Sequence, residues 1–137
     1  MTTIVATKQA IYADTQCTYS VPFNVNKIAR IGDSIYAGAG DMDDLQRFFS
    51  WRRDGGDRPV FEDGIDIIEV CSEGIFLWGK KFVRLHVDEE VYSVGSGSQF
   101  AMGALAMGAT PKQAIGVAAK LDSETGFKVN VVKLKGS

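Results

Sequence analysis

A threonine directly behind the first methionine gives the chain a candidate nucleophile. Thr2 precedes a short apolar run that ends at Ala6. Because methionine aminopeptidase normally removes an initiator that stands before a small residue, we expect Thr2 to become the first residue of the mature chain. Its α-amino group would have a pKa of about 8, so a useful fraction is neutral at neutral pH and can activate the adjacent hydroxyl. An N-terminal threonine is far more often structural, so this hypothesis depends on what the rest of the chain supplies.

The composition excludes several other classes of function. The chain has 137 residues, of which 45% are hydrophobic, and this fits one globular domain spanning 1–137. A net charge of −2 and a pI of about 5.3 give no basic surface for nucleic acid or an anionic membrane. No apolar run approaches the roughly 18 residues of a spanning helix, and the N-terminus does not have the pattern of a signal peptide. We therefore expect a cytoplasmic protein without membrane or nucleic-acid partners.

Few side chains are available for other catalytic chemistries. Cys17 and Cys71 are far apart with no other ligand types beside them, so they are interpreted as reduced thiols. The single histidine, His86, lies in an alternating stretch and is interpreted as structural, and no G-x-S-x-G motif is present. The segment GSGS at 95–98 is typical of a turn or of a phosphate cradle, but no Lys-Ser or Lys-Thr pair follows it as in a P-loop. We expect neither a metal nor a cofactor.

Hydrophobic periodicity and turn residues divide most of the chain into strands. The polar stretch around Pro22 carries no predicted element. Strands are predicted at 3–7, 10–14, 27–31 and 34–38, as three or four short antiparallel strands within 65–97, and at 127–135.

Three helices are predicted between or after the strands. The first follows the aspartates at 41–44, where Leu45, Phe48 and Phe49 fall on one face, and the second covers 98–109. The third covers 110–122, with Thr110 and Gln113 forming a capping box and Gly126 ending it. Because helices and strands are segregated, the chain is predicted to be α+β, with sheets packed face to face and helices outside.

Six segments in a fixed order resemble the proteasome β-subunit family, and most closely its bacterial HslV branch. They are TTIVA, YADTQ, NVNKIARI, AGAGDMDD, SVGSGSQFAMGAL and LDSETG. The resemblance extends over most of the chain. It implies an αββα sandwich of the N-terminal nucleophile (Ntn) hydrolase class and hydrolysis of peptide bonds by an N-terminal threonine.

The resemblance also implies roles for individual residues of the catalytic group. Thr2 matches the nucleophile, Lys27 matches the lysine beside it, and Asp14 matches the acid that orients this lysine. A cation near the nucleophile lowers the pKa of the amine and favours a developing alkoxide. Gly40 matches the glycine whose amide binds the oxyanion, an interaction often worth about 3 kcal/mol.

Further matches concern the terminal amine and the substrate. Ser96, Asp122 and Thr125 match the residues near the amine, with Thr125 standing where the family has a serine and keeping its hydroxyl. Four matches imply substrate contacts: Thr18 with the substrate backbone, and Cys17, Val25 and Met42 with the side chain before the scissile bond.

The chain departs from the family between Trp51 and Ile65, where it is shorter. One helical layer of the sandwich is therefore expected to be reduced, in a region through which the family makes subunit contacts and docks an ATPase. The sequence predicts a threonine endopeptidase that depends on removal of Met1, acts on peptides or unfolded proteins, and forms a homo-oligomeric ring. The resemblance also raises an ATPase unfoldase as a partner. Two alternatives stay open: a catalytically silent, proteasome-like shell protein, and an amidohydrolase of the same class that cleaves a small amide.

Overall fold

The strands of the chain form two antiparallel sheets and a short hairpin in a computed structural model that describes residues 2–18, 20–61, 64–79 and 82–136. The strands are β1 (Thr3–Thr7), β2 (Ala10–Asp14), β3 (Gln16–Thr18), β4 (Pro22–Asn24), β5 (Ile28–Ile31), β6 (Ser34–Gly40), β7 (Ile65–Cys71), β8 (Gly74–Trp78), β9 (Arg84–Val87), β10 (Val91–Gly95) and β11 (Val129–Lys133). The first sheet has the order β10-β1-β2-β11, the second has the order β5-β6-β7-β8-β9, and β3 pairs with β4.

Three helices complete the described structure: α1 (Met42–Asp54), α2 (Ser98–Ala106) and α3 (Pro111–Leu121). The side chain of Asp41 caps α1 by accepting hydrogen bonds from the amides of Asp43 and Asp44. Thr110 and Gln113 form the predicted capping box of α3. Local sequence signals therefore determine where both helices begin.

The alternation of side chains along the strands separates three apolar clusters. Ile4 and Ala6 of β1 lie in the cluster between the two sheets, whereas Val5 packs against Ala114 and Ile115 of α3. In the second sheet, β6 likewise has one face between the sheets and the other face against α1. The layers are thus α2 and α3, the first sheet, the second sheet, and α1. This confirms the predicted α+β class and the αββα sandwich.

The helical layer on the second sheet consists of α1 alone in the described part of the chain, as the short segment after Trp51 predicts. Aromatic side chains lie beside this helix. The ring of Phe82 is 5.1 Å from that of Trp51 and 5.2 Å from that of Phe61, between centroids. The Trp78 ring packs edge-on against Phe48 of α1. These rings bury apolar surface beside a single helix.

Several predicted bounds were wrong. Helix α3 ends at Leu121 and not at Gly126, because Asp122 takes an extended conformation and begins a turn. Helix α2 ends at Ala106, since Met107 and Gly108 form a turn whose amides bond to its last carbonyl groups. The hairpin of β3 and β4 was missed in the polar stretch around Pro22. None of the described helices has both the length and the apolar character needed to cross a membrane.

Candidate active site

Thr2, Asp14 and Lys27 meet at one end of the sandwich. Thr2 directly precedes β1, Asp14 ends the neighbouring strand β2, and Lys27 directly precedes β5 of the other sheet. The Thr2 hydroxyl donates a hydrogen bond to Asp14 Oδ1 and accepts one from Lys27 Nζ. Lys27 Nζ also lies 3.2 Å from Asp14 Oδ1. All three residues are at most 1% exposed, so a hydroxyl, a carboxylate and an amine interact away from bulk water.

The Asp14 carboxylate is held by backbone amides on both of its oxygens. The amide of Thr3 donates to Oδ1 at 2.9 Å, and the amides of Gly126 and Gln16 donate to Oδ2 at 2.9 and 3.2 Å. A buried carboxylate needs such partners, since an uncompensated one is very costly. Because these donors come from three separate segments of the chain, Asp14 also fixes the segment after α3 against the start of the first sheet.

The electrostatics of Lys27 follow from its burial. Desolvation lowers the pKa of the Lys27 amine, and the neighbouring Asp14 carboxylate only partly opposes this effect. The amine is therefore easier to deprotonate than an exposed lysine. An amine with a lowered pKa that donates a hydrogen bond to a hydroxyl can hold or release a proton during attack by that hydroxyl.

A second polar group lies beside the first. Ser96 Oγ donates to Asp122 Oδ2 at 2.6 Å and lies 3.3 Å from the carbonyl oxygen of Thr2. Thr125 Oγ1 donates to the same Asp122 oxygen at 2.7 Å and lies 2.8 Å from Thr3 Oγ1. Since the single hydroxyl proton of Thr125 is directed at Asp122, Thr3 is the donor in the last contact. These contacts join the turn after α3 to the first residues of the chain.

Asp122 stays charged in this group. Although burial raises its pKa, hydrogen bonds from the hydroxyls of Ser96 and Thr125 and from the amide of Glu124 outweigh this and lower the pKa of the carboxyl overall. Because Ser96 is exposed and Asp122 half-buried, this group forms the solvent side of the site. A fixed negative charge there can orient an amine at the start of the chain.

Two glycines allow the backbone to approach the start of β1. Gly95 pairs with Thr3 and has a φ of +105°, and a Cβ atom on it would lie 2.1 Å from the carbonyl oxygen of Thr2. A Cβ atom on Gly97 would lie 2.1 Å from Thr3 Oγ1 and 3.0 Å from Thr125 Oγ1. No side chain fits at either position. The GSGS segment, which the sequence left open as a turn or a phosphate cradle, therefore packs against the residues next to Thr2.

The other predicted site residues occupy different surroundings. Gly40 is the last residue of β6 and pairs with Ile65. Cys17 lies in β3, close enough to Lys27 for a charge on its thiol to raise the pKa of the amine. The remaining three predicted substrate contacts are Val25, which donates its amide to the Thr15 carbonyl, Thr18, which is exposed in β3, and Met42, which packs on the apolar cluster under α1.

The sequence prediction missed Thr3 and Gln16, both of which contact the site. Thr3 gives its amide to Asp14 and its hydroxyl to Thr125, and so connects the two polar groups. The available signal was its position next to Thr2 at the start of a strand. Successive side chains of a strand face opposite sides, so the Thr3 side chain reaches a different group of residues from that of Thr2. In the described part of the chain no three His, Cys, Asp or Glu side chains are grouped to hold a metal ion.

The structure is similar to solved structures of the proteasome β-like fold. It matches eukaryotic HslV from Trypanosoma brucei with a TM-score of 0.73 and 18% identity, over 96% of this chain and 98% of that chain. It matches BPH from Thiobacillus denitrificans with a TM-score of 0.71 and 20% identity, over 99% of both chains. A structure of the same BPH in complex with epoxomicin matches with a TM-score of 0.69 and 20% identity, over 98% of both chains. No protein-family model matches the chain, and neither does any curated protein sequence. The chain therefore has the αββα fold of HslV and BPH, the fold of proteasome-like Ntn hydrolases.

Proposed function

We propose that this chain is a threonine-type endopeptidase whose nucleophile is Thr2 Oγ1 after removal of Met1. The observation that carries the proposal is the buried contact of the Thr2 hydroxyl with Lys27 and Asp14. A lysine and an aspartate seldom share a buried site with a hydroxyl for stability alone, because desolvation of the two charges offsets most of their attraction. The likeness in fold to HslV and to a BPH solved with epoxomicin supports the same conclusion.

In the proposed reaction, Thr2 Oγ1 attacks the carbonyl carbon of the scissile peptide bond. The hydroxyl proton passes to the free α-amine of Thr2, directly or through one water molecule, while the Lys27 ammonium donates to Oγ1 as negative charge develops. The amide of Gly40 receives the oxyanion. The amine returns the proton to the departing nitrogen, which leaves an ester on Thr2. Water then hydrolyses the ester, and the carboxylic acid product departs.

Asp14 and the group around Asp122 have positioning roles in this reaction. Asp14 accepts a hydrogen bond from Lys27 and keeps its amine directed at Thr2 Oγ1. Ser96 lies beside the carbonyl group of Thr2 and donates to Asp122, and in the proposed reaction this pair orients the free amine by hydrogen bonding. Cys17, Thr18, Val25 and Met42 stay the proposed substrate contacts.

The resemblance further supports assembly into a homo-oligomeric ring, with an ATPase unfoldase as a candidate partner. Apolar side chains just after α2 and in the segment before β11 leave surface for a contact between copies, since Met107 is 89% and Phe127 70% exposed. Sedimentation velocity at micromolar concentration tests assembly. A single species of 14.9 kDa, the mass of one chain, would contradict it.

The proposed activity is tested on protein whose intact mass shows loss of one methionine. Incubation with epoxomicin, a peptide epoxyketone, should give a covalent adduct on Thr2, because both its hydroxyl and its free amine can react. Quenched fluorescent peptides should be cleaved by this protein, partly by Thr2→Ser and not at all by Thr2→Ala. Turnover of small amides without peptide cleavage would favour the amidohydrolase, and neither adduct nor turnover would favour the silent shell.

A further inference from the structure

A cleft between the two sheets lies next to the candidate active site and is not used by the proposed reaction. It has a volume of about 290 Å³, and its walls come from β7, β8, β9, β10 and the start of α2. This is at the lower end of the roughly 300–1,000 Å³ of typical ligand pockets. The cleft therefore suits one side chain better than a peptide segment.

The cleft is connected to Thr2 through two residues. Gly95 lines it and packs directly on the carbonyl oxygen of Thr2. A Cβ atom on Gly95 would lie 3.3 Å from Ala39 Cβ, and Ala39 pairs with Asp66, which also lines the cleft. Because the Cβ atoms of paired strand residues are about 5 Å apart, Asp66 Cβ lies within roughly 11 Å of the Thr2 carbonyl oxygen. An extended substrate covers this distance in about three residues.

The lining of the cleft combines apolar walls with one carboxylate. Leu77, Leu85, Tyr92 and Val94 supply apolar surface, and Leu85 is 58% exposed. Asp66 is the only Asp, Glu, Lys, Arg or His among the described residues that line it, and its carboxylate is exposed. Lysine and arginine side chains match this arrangement, because their apolar stems pack on apolar walls while the charged end stays near water.

The cleft and the predicted pocket around Cys17 lie on opposite sides of Thr2. In the first sheet β1 stands between β10, which borders the cleft, and β2, which leads into the hairpin that carries Cys17. If the side chain before the scissile bond occupies the pocket at Cys17, the departing part of the substrate extends toward the cleft.

We propose that this cleft is a subsite for a lysine or arginine side chain within the first three residues after the scissile bond, with Asp66 as its specificity-determining residue. The proposal rests on the proposed peptidase function. An exposed ion pair is weak, so the expected preference for arginine over the uncharged norleucine at one of these positions is about two- to five-fold in kcat/KM. The preference for arginine over glutamate should be larger, since the glutamate carboxylate and the Asp66 carboxylate repel each other.

Quenched fluorescent peptides that differ only in arginine, lysine, norleucine or glutamate at these three positions test the subsite. Asp66→Asn should remove the preference, Asp66→Glu should keep it, and Asp66→Lys should reverse it in favour of glutamate. Asp33→Asn is the matched control, because it removes the same charge from the exposed turn between β5 and β6 and should change nothing. Equal cleavage of all peptides, or a preference that survives Asp66→Asn, would overturn the proposal.

A binding measurement separates this proposal from the peptidase function. The amide of the tripeptide Arg-Ala-Ala should shift the backbone NMR signals of Gly95, Ser98 and Leu85 in the wild type but not in Asp66→Asn. Such shifts without any peptide cleavage would reject the peptidase, and with it the subsite's place after a scissile bond, but would keep the cleft as a binding site for a cationic side chain. Cleavage with no shift and no arginine preference would reject the subsite and keep the peptidase, and the absence of both would reject both.

Discussion

Replacing Lys27 by methionine separates the proposed catalytic role of its amine from any role in packing. Methionine is unbranched and flexible, so it can fill most of the space of the lysine stem. The variant loses the hydrogen bond from Nζ to Thr2 Oγ1 and the 3.2 Å ion pair with Asp14. Removing one preorganised donor to developing negative charge typically costs 10²–10³ in kcat, or about 3–4 kcal/mol. We expect a loss of this size in kcat/KM for Met1-free Lys27→Met.

The fold should persist in this variant. Breaking a buried ion pair usually costs about 3–5 kcal/mol, because it leaves a buried charge without compensation. Here Asp14 keeps hydrogen bonds from the Thr2 hydroxyl and from the amides of Thr3, Gln16 and Gly126. The variant also avoids the free-energy cost of burying the Lys27 ammonium group. We therefore expect the free energy of unfolding to fall by at most about 2 kcal/mol.

The pH dependence of stability gives a second measure of the same residue. Burial lowers the pKa of Lys27 below its ordinary value of 10.5. The unfolded chain thus binds more protons than the folded one between the folded-state pKa and 10.5, and stability rises with pH in that window. The unfolding free energy of the wild type relative to Lys27→Met should increase as the pH approaches 10.5, as measured by urea denaturation.

The assay uses initial rates on a quenched peptide, with near-UV circular dichroism to verify the fold. Lys8→Met is the matched control, since Lys8 makes an exposed ion pair with Glu90, and its rate should equal that of the wild type. Retention of more than a tenth of wild-type kcat/KM in Lys27→Met would refute the catalytic reasoning. Loss of the folded spectrum would refute the argument that Asp14 remains compensated.

Three further substitutions test individual contacts, two beside the site and one elsewhere in the second sheet. Gly95→Ala should lower both stability and any activity, because the backbone has a positive φ and the new Cβ would overlap the Thr2 carbonyl; thermal unfolding measures this, and an unchanged midpoint would contradict it. Thr125→Val should cost about 1–3 kcal/mol in urea denaturation by removing a buried hydroxyl, whereas Thr125→Ser should retain most of the stability. Glu69 lies on β7, where desolvation is outweighed by hydrogen bonds from Arg84 and other side chains, so that its pKa is lowered below 4.5. Glu69→Gln should therefore destabilise the fold at pH 7 by about 1–3 kcal/mol, and the difference should vanish as the pH falls below 4.5 through the folded-state pKa, when measured by urea denaturation across this range.

Local signals in the sequence predicted the elements that local physics determines. The capping box at Thr110 predicted the start of α3, and the periodicity of Leu45, Phe48 and Phe49 predicted the buried face of α1. Strands β1 and β2 were predicted with the bounds that the structure has. In each case the signal lies within one element, even where the element packs against distant ones, as β1 does by pairing with β10.

Features that leave no pattern within one segment of the sequence were not predicted. The hairpin of β3 and β4 has only three residues in each strand and little burial, so it leaves no alternating pattern. The end of α3 depends on Asp122, whose partner Ser96 is 26 residues away. The network around Glu69 joins side chains of β6, β7, β8 and β9, and no spacing within one segment indicates it. The proximity of Lys27 to Asp14 was predicted from family resemblance, and no local rule would have supplied it.

The described hydrogen bonds between Thr2 and the other site residues do not use its α-nitrogen. The described contacts of Thr2 in the site use its hydroxyl or its carbonyl oxygen, and Asp14 is held by amides of other residues. These described hydrogen bonds of Lys27, Asp14 and Ser96 to Thr2 do not depend on the bond before Thr2, so its cleavage frees an amine without removing any of them. Groups that are already positioned need no reorganisation during the reaction, which is the main source of electrostatic catalysis. In the proposed peptidase, the removal of one residue would thus supply the missing base to a site whose other polar groups are in place.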